Sequence, residues 1–229
     1  MSDTRVRLPE LVERMPGRER DIVRRLAHAF NAAGQELYLV GGIVRDLLLD
    51  RGRSDLDFTT SATPEQTKLA GGAASPDATF AIGEQFGTIG FVFQQPGEPD
   101  IVVEITTYRS ETYPTPDRRP EVSHNATLRD DLSRRDFTIN ALALDPLDGE
   151  LIDPFGGIGD LGGRQIIAVG DPVERFNEDP LRILRAARFA AQLGFEIEDA
   201  TRAAMQALGA ELPRTSREGI ATELNRLLV

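Results

Sequence analysis

The sequence predicts an α+β fold, a sheet-bearing part over residues 1–156 followed by an all-helical part over residues 157–229. Three observations predict it. Short β-prone runs recur between Leu37 and Ile152, one of them alternating with period two at Asp55 to Phe58. From Asp171 onward the apolar spacing becomes helical. Between the two regimes, Gly156-Gly157 breaks the pattern and marks the boundary.

In chain order, Ile22, Val23, Leu26, Ala29 and Phe30 repeat at helical spacing within residues 19–33, and Gly34 ends the run. Leu37 to Val40 reads as a strand stopped by Gly41-Gly42, with a helix over Ile43 to Leu49. Leu56 and Phe58 alternate with Asp55 and Asp57, the period of a half-buried strand. Thr63-Pro64-Glu65-Gln66 supplies an N-cap, a proline at the first helical position and a glutamine at the third, so a helix starts there. Thr88 to Phe93 and Ile101 to Thr107 read as strands, and the Pro- and charge-rich stretch Ser110 to Asn125 as a mobile loop. Ala141 to Leu144 and Leu151-Ile152 flank the turn Pro146-Leu147-Asp148-Gly149 as a hairpin, where the sheet ends. Three helices follow: Pro180 to Leu193 stopped by Gly194, Asp199 to Leu208, and Thr215 to Val229 opened by a Thr215/Glu218 capping box.

Composition narrows the chemistry. With 40% hydrophobic and 28% charged residues the chain carries enough core-formers to fold. Cysteine is absent, which excludes disulfides, thiolate metal sites and cysteine nucleophiles, so a metal has to sit on oxygen. No stretch approaches the ~20 apolar residues of a membrane span, and Met1 to Glu10 lacks a signal-type apolar core, so the expected location is cytoplasmic with no membrane partner. A formal charge of −11 argues against coating nucleic acid by bulk attraction. Any such partner has to be met by a local cluster.

Four clusters stand out. Residues two apart on a strand share a face, so Asp55 and Asp57 can converge while Leu56 and Phe58 bury the other side. Two close carboxylates suit Mg²⁺, which takes one or two carboxylates together with substrate phosphates; two solvated acids at a strand edge is the competing reading. Glu104, with Val103 and Ile105 pointing the other way, is either a third carboxylate beside them or a solvent-facing acid. Gly41-Gly42 between strand and helix lets backbone N–H groups approach a phosphate, with Arg45 adding a charge-assisted contact, unless the pair is a plain turn with Arg45 and Asp46 on a solvated face. Arg134-Arg135-Asp136-Phe137-Thr138-Ile139-Asn140 suits either ribose and triphosphate contacts or a salt-bridge cluster at a helix start.

The helix after Glu178-Asp179-Pro180 is the sharpest signal. Asp179, Arg182 and Arg185 form one drifting stripe with Arg188 at its border, and Ile183, Leu184, Ala187, Ala190 and Ala191 take the other side. An ionised aspartate only accepts and an arginine only donates. Cytosine and adenine each present an amino donor beside a ring-nitrogen acceptor, whereas uracil and guanine present a carbonyl beside an N–H. An Asp179/Arg182 pair therefore matches C and A, the alternative being a solvated face laced with i, i+3 ion pairs. The histidines, His28 and His124, read as surface or packing residues.

Taken in order, Leu39-Val40-Gly41-Gly42-Ile43-Val44-Arg45-Asp46, Asp55-Leu56-Asp57-Phe58-Thr59-Thr60, Arg134 to Ala141 and Glu178 to Arg188 resemble the class II nucleotidyltransferases, the bacterial CCA-adding enzymes and related poly(A) polymerases. The resemblance runs from about Leu37 to Val229. It implies a nucleotidyltransferase palm, a small mixed or antiparallel sheet flanked by helices, and then a helical neck. It implies that Asp55 and Asp57 hold catalytic Mg²⁺, with Glu104 among the catalytic acids. Gly42 and Arg45 would contact the triphosphate with Arg135 close by, and Asp136 would serve the ribose or order the site. Asp179 and Arg182 would template the incoming base, supported by Arg185 and Arg188. The implied reaction is attack of a tRNA 3′ hydroxyl on the α-phosphate of CTP or ATP, building CCA and releasing pyrophosphate. A poly(A) polymerase, a partial CC- or A-adding enzyme, or a non-catalytic nucleotide- or RNA-binding module are the alternatives. Family members continue into further helical domains that grip tRNA, so the expectation is a head and neck without that body.

Overall fold

The structure is a computed structural model and describes residues 3–52, 55–82, 87–112, 121–123 and 126–228. The elements run β1 (Thr4–Arg7), α1 (Glu10–Glu13), α2 (Gly17–Ala32), β2 (Leu37–Val40), α3 (Gly42–Leu48), β3 (Leu56–Thr60), α4 (Pro64–Gly72), β4 (Ala78–Ile82), β5 (Thr88–Phe93), β6 (Ile101–Thr107), β7 (Ser110–Thr112) and β8 (Glu121–Ser123). Then come α5 (Leu128–Ser133), a 3-10 turn (Thr138–Asn140), β9 (Ala143–Leu144), β10 (Glu150–Asp153), α6 (Gly157–Gly163), β11 (Gln165–Ile166), α7 (Pro172–Glu178), α8 (Leu181–Leu193), β12 (Glu196–Ile197), α9 (Asp199–Leu208), a second 3-10 segment (Gly209–Arg214) and α10 (Arg217–Leu228). The chain forms two compact units, one from Met1–Glu111, Val122–Leu132 and Leu142–Pro154, the other from Thr112–Glu121, Ser133–Ala141 and Phe155–Val229. Ser133–Ala141 thus groups with the second unit while lying inside the span 1–156 that the sequence presents as one part.

The first unit is built on an eight-stranded mixed sheet of order β1-β10-β9-β2-β3-β6-β5-β4. Only β3 and β6 run parallel; the other neighbours are antiparallel. One face carries Leu39, Phe58, Ile105, Ile89 and Phe91, all fully buried, under α2 and α4. Gly71 of α4 is there because a Cβ would strike the Phe91 ring at 2.1 Å. The other face carries Asp57, Thr59, Glu104 and Phe80. The Thr63 capping box opens α4 in full: the Thr63 hydroxyl accepts from Gln66 N–H, and Gln66 Oε1 accepts from Thr63 N–H.

The sheet holds two strands that the periodicity did not reveal. β1 has every residue exposed, so it lacks an apolar alternation and is held to β10 through its backbone, with Arg5 paired to Glu150 and Arg7 to Asp148. β4 is the opposite edge and carries Ala78, Thr79, Phe80 and Ala81 all exposed. Within the stretch expected to be a loop, Ser110–Thr112 and Glu121–Ser123 pair as a two-stranded sheet; residues 113–120 and 124–125, His124 among them, lie outside the described residues.

The second unit is helical apart from a parallel pair, β11 with β12, which corrects the all-helical expectation. Its core gathers Phe137, Ile139, Ile166, Phe176 and Ala186, with Phe137 meeting Phe189 edge-on at 5.9 Å. Asp171 caps α7, accepting from Val173 and Glu174 N–H, and Gly194 ends α8 in the left-handed conformation at φ 67°. The cap of α10 sits one residue later than the sequence suggested. Ser216 Oγ accepts from Gly219 N–H, while the Thr215 hydroxyl donates back to the Leu212 carbonyl, so Glu218 is not at the capping-box position.

Candidate active site

In the first unit, parallel pairing of β3 and β6 sets Asp57 directly beside Glu104 and Thr59 beside Thr106. Val103 and Ile105 are fully buried on the opposite face, so Glu104 stands exposed on the same face as Asp57, with Asp55 exposed at the strand entry. At the far end of this face, Asp131 of α5 accepts from the Thr59 hydroxyl at 3.1 Å. Among the described residues no group of three or more His, Cys, Asp or Glu side chains converges as a metal cage. Glu104 is a register neighbour of Asp57, and the pair Asp55/Asp57 is the candidate donor set. All-oxygen donors at the entry of β3, with Asp55 exposed and Asp57 half-buried, suit a hard divalent ion that takes its remaining ligands from phosphate and water.

Gly41 connects β2 to α3 at φ 75°, ψ −133°, a conformation that only glycine adopts without strain. Gly42 is the first helical residue, and the N-cap provides no side chain to bond the first amides. Arg45 and Asp46 are both buried, not solvated: Arg45 Nε and Nη2 donate to the two Asp46 oxygens at 2.8 and 3.0 Å. This fixes the guanidinium plane one turn into the helix.

In the second unit two arginines of the α8 stripe, Arg182 and Arg188, are buried and Arg185 is half-buried. Arg182 is 8% and Arg188 7% exposed, whereas Ala191 on the supposed apolar side is exposed. Each arginine is held by a carboxylate. Arg182 Nη1 donates to Glu178 at 3.1 Å and to the Arg175 carbonyl at 3.4 Å, and its Nη2 donates to the Arg134 carbonyl at 2.9 Å. Arg185 grips Asp136 through Nε at 2.7 Å and Nη2 at 2.6 Å. Arg188 Nε donates to Glu223 at 2.6 Å, and its guanidinium lies 4.1 Å from the Phe189 ring centroid. Asp179, extended before Pro180, accepts from Leu181 N–H through Oδ1 at 3.0 Å.

Asp136 is the hub. It accepts from its neighbour's Phe137 N–H, from Asn140 Nδ2 and from Arg185. Burial opposes its charge, but Arg185 and the Asn140 hydrogen bond outweigh burial and hold the carboxyl below its usual range. The same contact raises Arg185 further. Arg135, half-buried next to Asp136 in sequence, belongs to this segment, which sits in the same unit as α8. Glu178 and Glu223 are partners that the helical stripe by itself does not announce. Glu178 is visible as the i−4 neighbour of Arg182; Glu223 is 35 residues from Arg188 and carries no local signal.

A family profile described as the poly A polymerase head domain matches residues 37–167. The CCA-adding enzyme of Leuconostoc citreum is 45% identical over 199 residues, 86% of this chain and 47% of that protein. Among solved structures, the Bacillus stearothermophilus CCA-adding enzyme in complex with CTP is 35% identical with TM-score 0.78, over 93% of this chain and 49% of the other. The Thermotoga maritima CCA-adding enzyme complexed with tRNA gives TM-score 0.81 at 29% identity, over 100% and 51%. The chain spans about half the length of the curated relatives it matches. With more than half of its residues inside the profile and its fold shared with these structures, the chain belongs to the poly A polymerase head domain family to which its motifs pointed.

Proposed function

We propose that the chain carries the nucleotidyl-transfer machinery of a CCA-adding enzyme, adding CMP and AMP from CTP and ATP to the 3′ end of tRNA in the cytoplasm. The first unit supplies the chemistry as the catalytic head, and the second, as the neck, selects the base. Asp55 and Asp57 hold Mg²⁺, which when bound supplies Lewis-acid stabilisation of the phosphoryl charge and eases loss of the hydroxyl proton. The amides that follow Gly41 and the fixed Arg45 guanidinium receive the triphosphate. A bond forms between the 3′ oxygen and the α-phosphorus, the α–β phosphoanhydride bond breaks, pyrophosphate leaves, and the proton passes to a carboxylate of the Asp57/Glu104 row. Asp136 orders Arg185, and Arg135 serves the nucleotide's sugar and phosphates.

One observation carries the base-selecting role. Arg182 spends both Nη1 hydrogens and one Nη2 hydrogen on Glu178 and two carbonyls, leaving its Nε–H and remaining Nη2–H as a side-on donor fork. Asp179 spends Oδ1 on the helix cap and keeps Oδ2 as an acceptor. An acceptor at Asp179 and a fixed donor edge three residues later at Arg182 offer the two bond types that the C and A edges require. The relatives named as CCA-adding enzymes, one solved with CTP and another with tRNA, support the same substrates. The test is extension of a tRNA lacking its 3′ CCA with CTP and ATP offered separately and together: CC, then A, is the expected product. A long tail from ATP alone, or no extension by a protein that binds CTP, overturns the proposal, and Asp57→Asn should abolish extension while leaving CTP binding measurable.

A further inference from the structure

We infer that Phe80 is a stacking platform for the last base of the RNA acceptor, an inference that rests on the nucleotidyl-transfer reading above. The register runs Phe80, Gly90, Glu104, Asp57 across β4, β5, β6 and β3, four positions side by side on one face. Gly90 leaves room that no other residue would: a Cβ there would come within 2.4 Å of the Phe80 ring Cζ, so the ring lies over the glycine and leans toward the acids. Even so, Phe80 remains 39% exposed, and Val102, in the next row of the same face and two residues from Glu104, is 45% exposed. A flat apolar patch thus opens one strand from Glu104 and two from Asp57. At about 4.8 Å per strand that places Gly90 about 10 Å from Asp57, the reach of one nucleoside from its base to its 3′ oxygen.

Strand order says which substrate this patch serves. Gly41, Gly42 and Arg45 follow β2, on one side of β3, and Phe80, Gly90 and Val102 lie on β4 to β6, on the other. In phosphoryl transfer the attacking and leaving oxygens are roughly in line. With the triphosphate on the β2 side, the pyrophosphate departs there and the attacking 3′ hydroxyl arrives from the β6 side, over the Phe80 patch. An aromatic face takes a base of any identity, which suits an acceptor whose terminal base changes at every addition. Selectivity for C and A then belongs to the incoming nucleotide alone.

Covering a strand glycine with an aromatic ring also stabilises a sheet, and the experiment separates the two roles. Phe80→Leu keeps an apolar cover and removes the π face; Phe80→Trp keeps both; Gly90→Ala leaves Phe80 in the chain and displaces its ring. In the full-length protein, Phe80→Leu and Gly90→Ala should raise the KM for a tRNA acceptor about ten-fold, with KM for CTP, kcat and the melting temperature close to wild type, and Phe80→Trp should restore it. A wild-type acceptor KM in Phe80→Leu, or an equal rise in the KM for CTP, overturns the inference. Binding without turnover gives a second readout: an RNA ending in 3′ 2-aminopurine should be quenched by wild type and not by Phe80→Leu. If the wild-type protein extends no RNA, the functional proposal fails by itself; the platform then stands on a quench that Phe80→Leu abolishes and falls if there is none.

Discussion

Glu223→Ala tests whether the buried arginine network is what holds α8 to α10. Glu223 is 4% exposed, bonds Arg188 Nε at 2.6 Å and lies 3.5 Å from Arg185 Nη1. Removing one partner of a buried ion pair costs about 3–5 kcal/mol, because the other charge is left in low dielectric. Arg188 retains Gln192 at 3.0 Å and the Phe189 ring, and Arg185 retains Asp136 and is about one-third exposed, so the lower end, about 3 kcal/mol, is expected. For a chain of this length that is a fall in melting temperature of about 6–12 °C. Urea unfolding followed by far-UV ellipticity measures it. The double variant Glu223→Leu/Arg188→Met removes both charges together and should recover to within about 1 kcal/mol of wild type. A loss below about 1 kcal/mol for Glu223→Ala, or a double variant worse than the single, would refute the reasoning.

Gly41→Ala should cost about 1–3 kcal/mol in chemical denaturation, since φ 75° with ψ −133° strains any Cβ-bearing residue; an unchanged midpoint would show that the loop relaxes freely. Asp136 makes the second unit acid-sensitive. Its folded carboxyl lies below the usual value of about 4, so its contribution is present above that value and is lost as pH falls through the lower folded one. The gap in unfolding free energy between wild type and Asp136→Asn should therefore be constant near neutrality and close below about pH 4; a gap independent of pH would place the stabilisation elsewhere.

Much of the head was legible because its elements announce themselves locally. The Thr63 box, the Gly41-Gly42 break and the β-prone runs of β5 and β6 are each written within a few residues, and the structure has them within one residue of the expected bounds, while β3 runs two residues past Phe58 to Thr60. β1 and β4 were not legible because edge strands bury too little to need an apolar pattern. Placing Asp57 and Glu104 on one face followed from parity, but their adjacency did not: it needs the parallel β3–β6 pairing, a long-range fact. The α8 face was misjudged for a physical reason. A stripe of Asp and Arg reads as solvated unless its counter-charges are known, and those come from Glu178, Asp136 and Glu223, two of them on other segments.

That pairing also reconciles the acidic composition with nucleic acid chemistry. Non-specific RNA affinity grows with uncompensated Lys and Arg that displace counterions, and the arginines of α8 are largely compensated from within. What survives neutralisation is direction. A guanidinium held by Glu178 and two carbonyls cannot swing to follow a stray phosphate, yet its remaining N–H edge stays aimed. Discrimination between bases depends on that aim, because the carbonyl and N–H that a wrong base presents in place of an amino donor and a ring-nitrogen acceptor leave polar groups unpaired. The helix therefore gives up bulk attraction and gains a fixed donor pattern, so selectivity for the incoming base should respond weakly to salt even where the grip on the acceptor responds strongly.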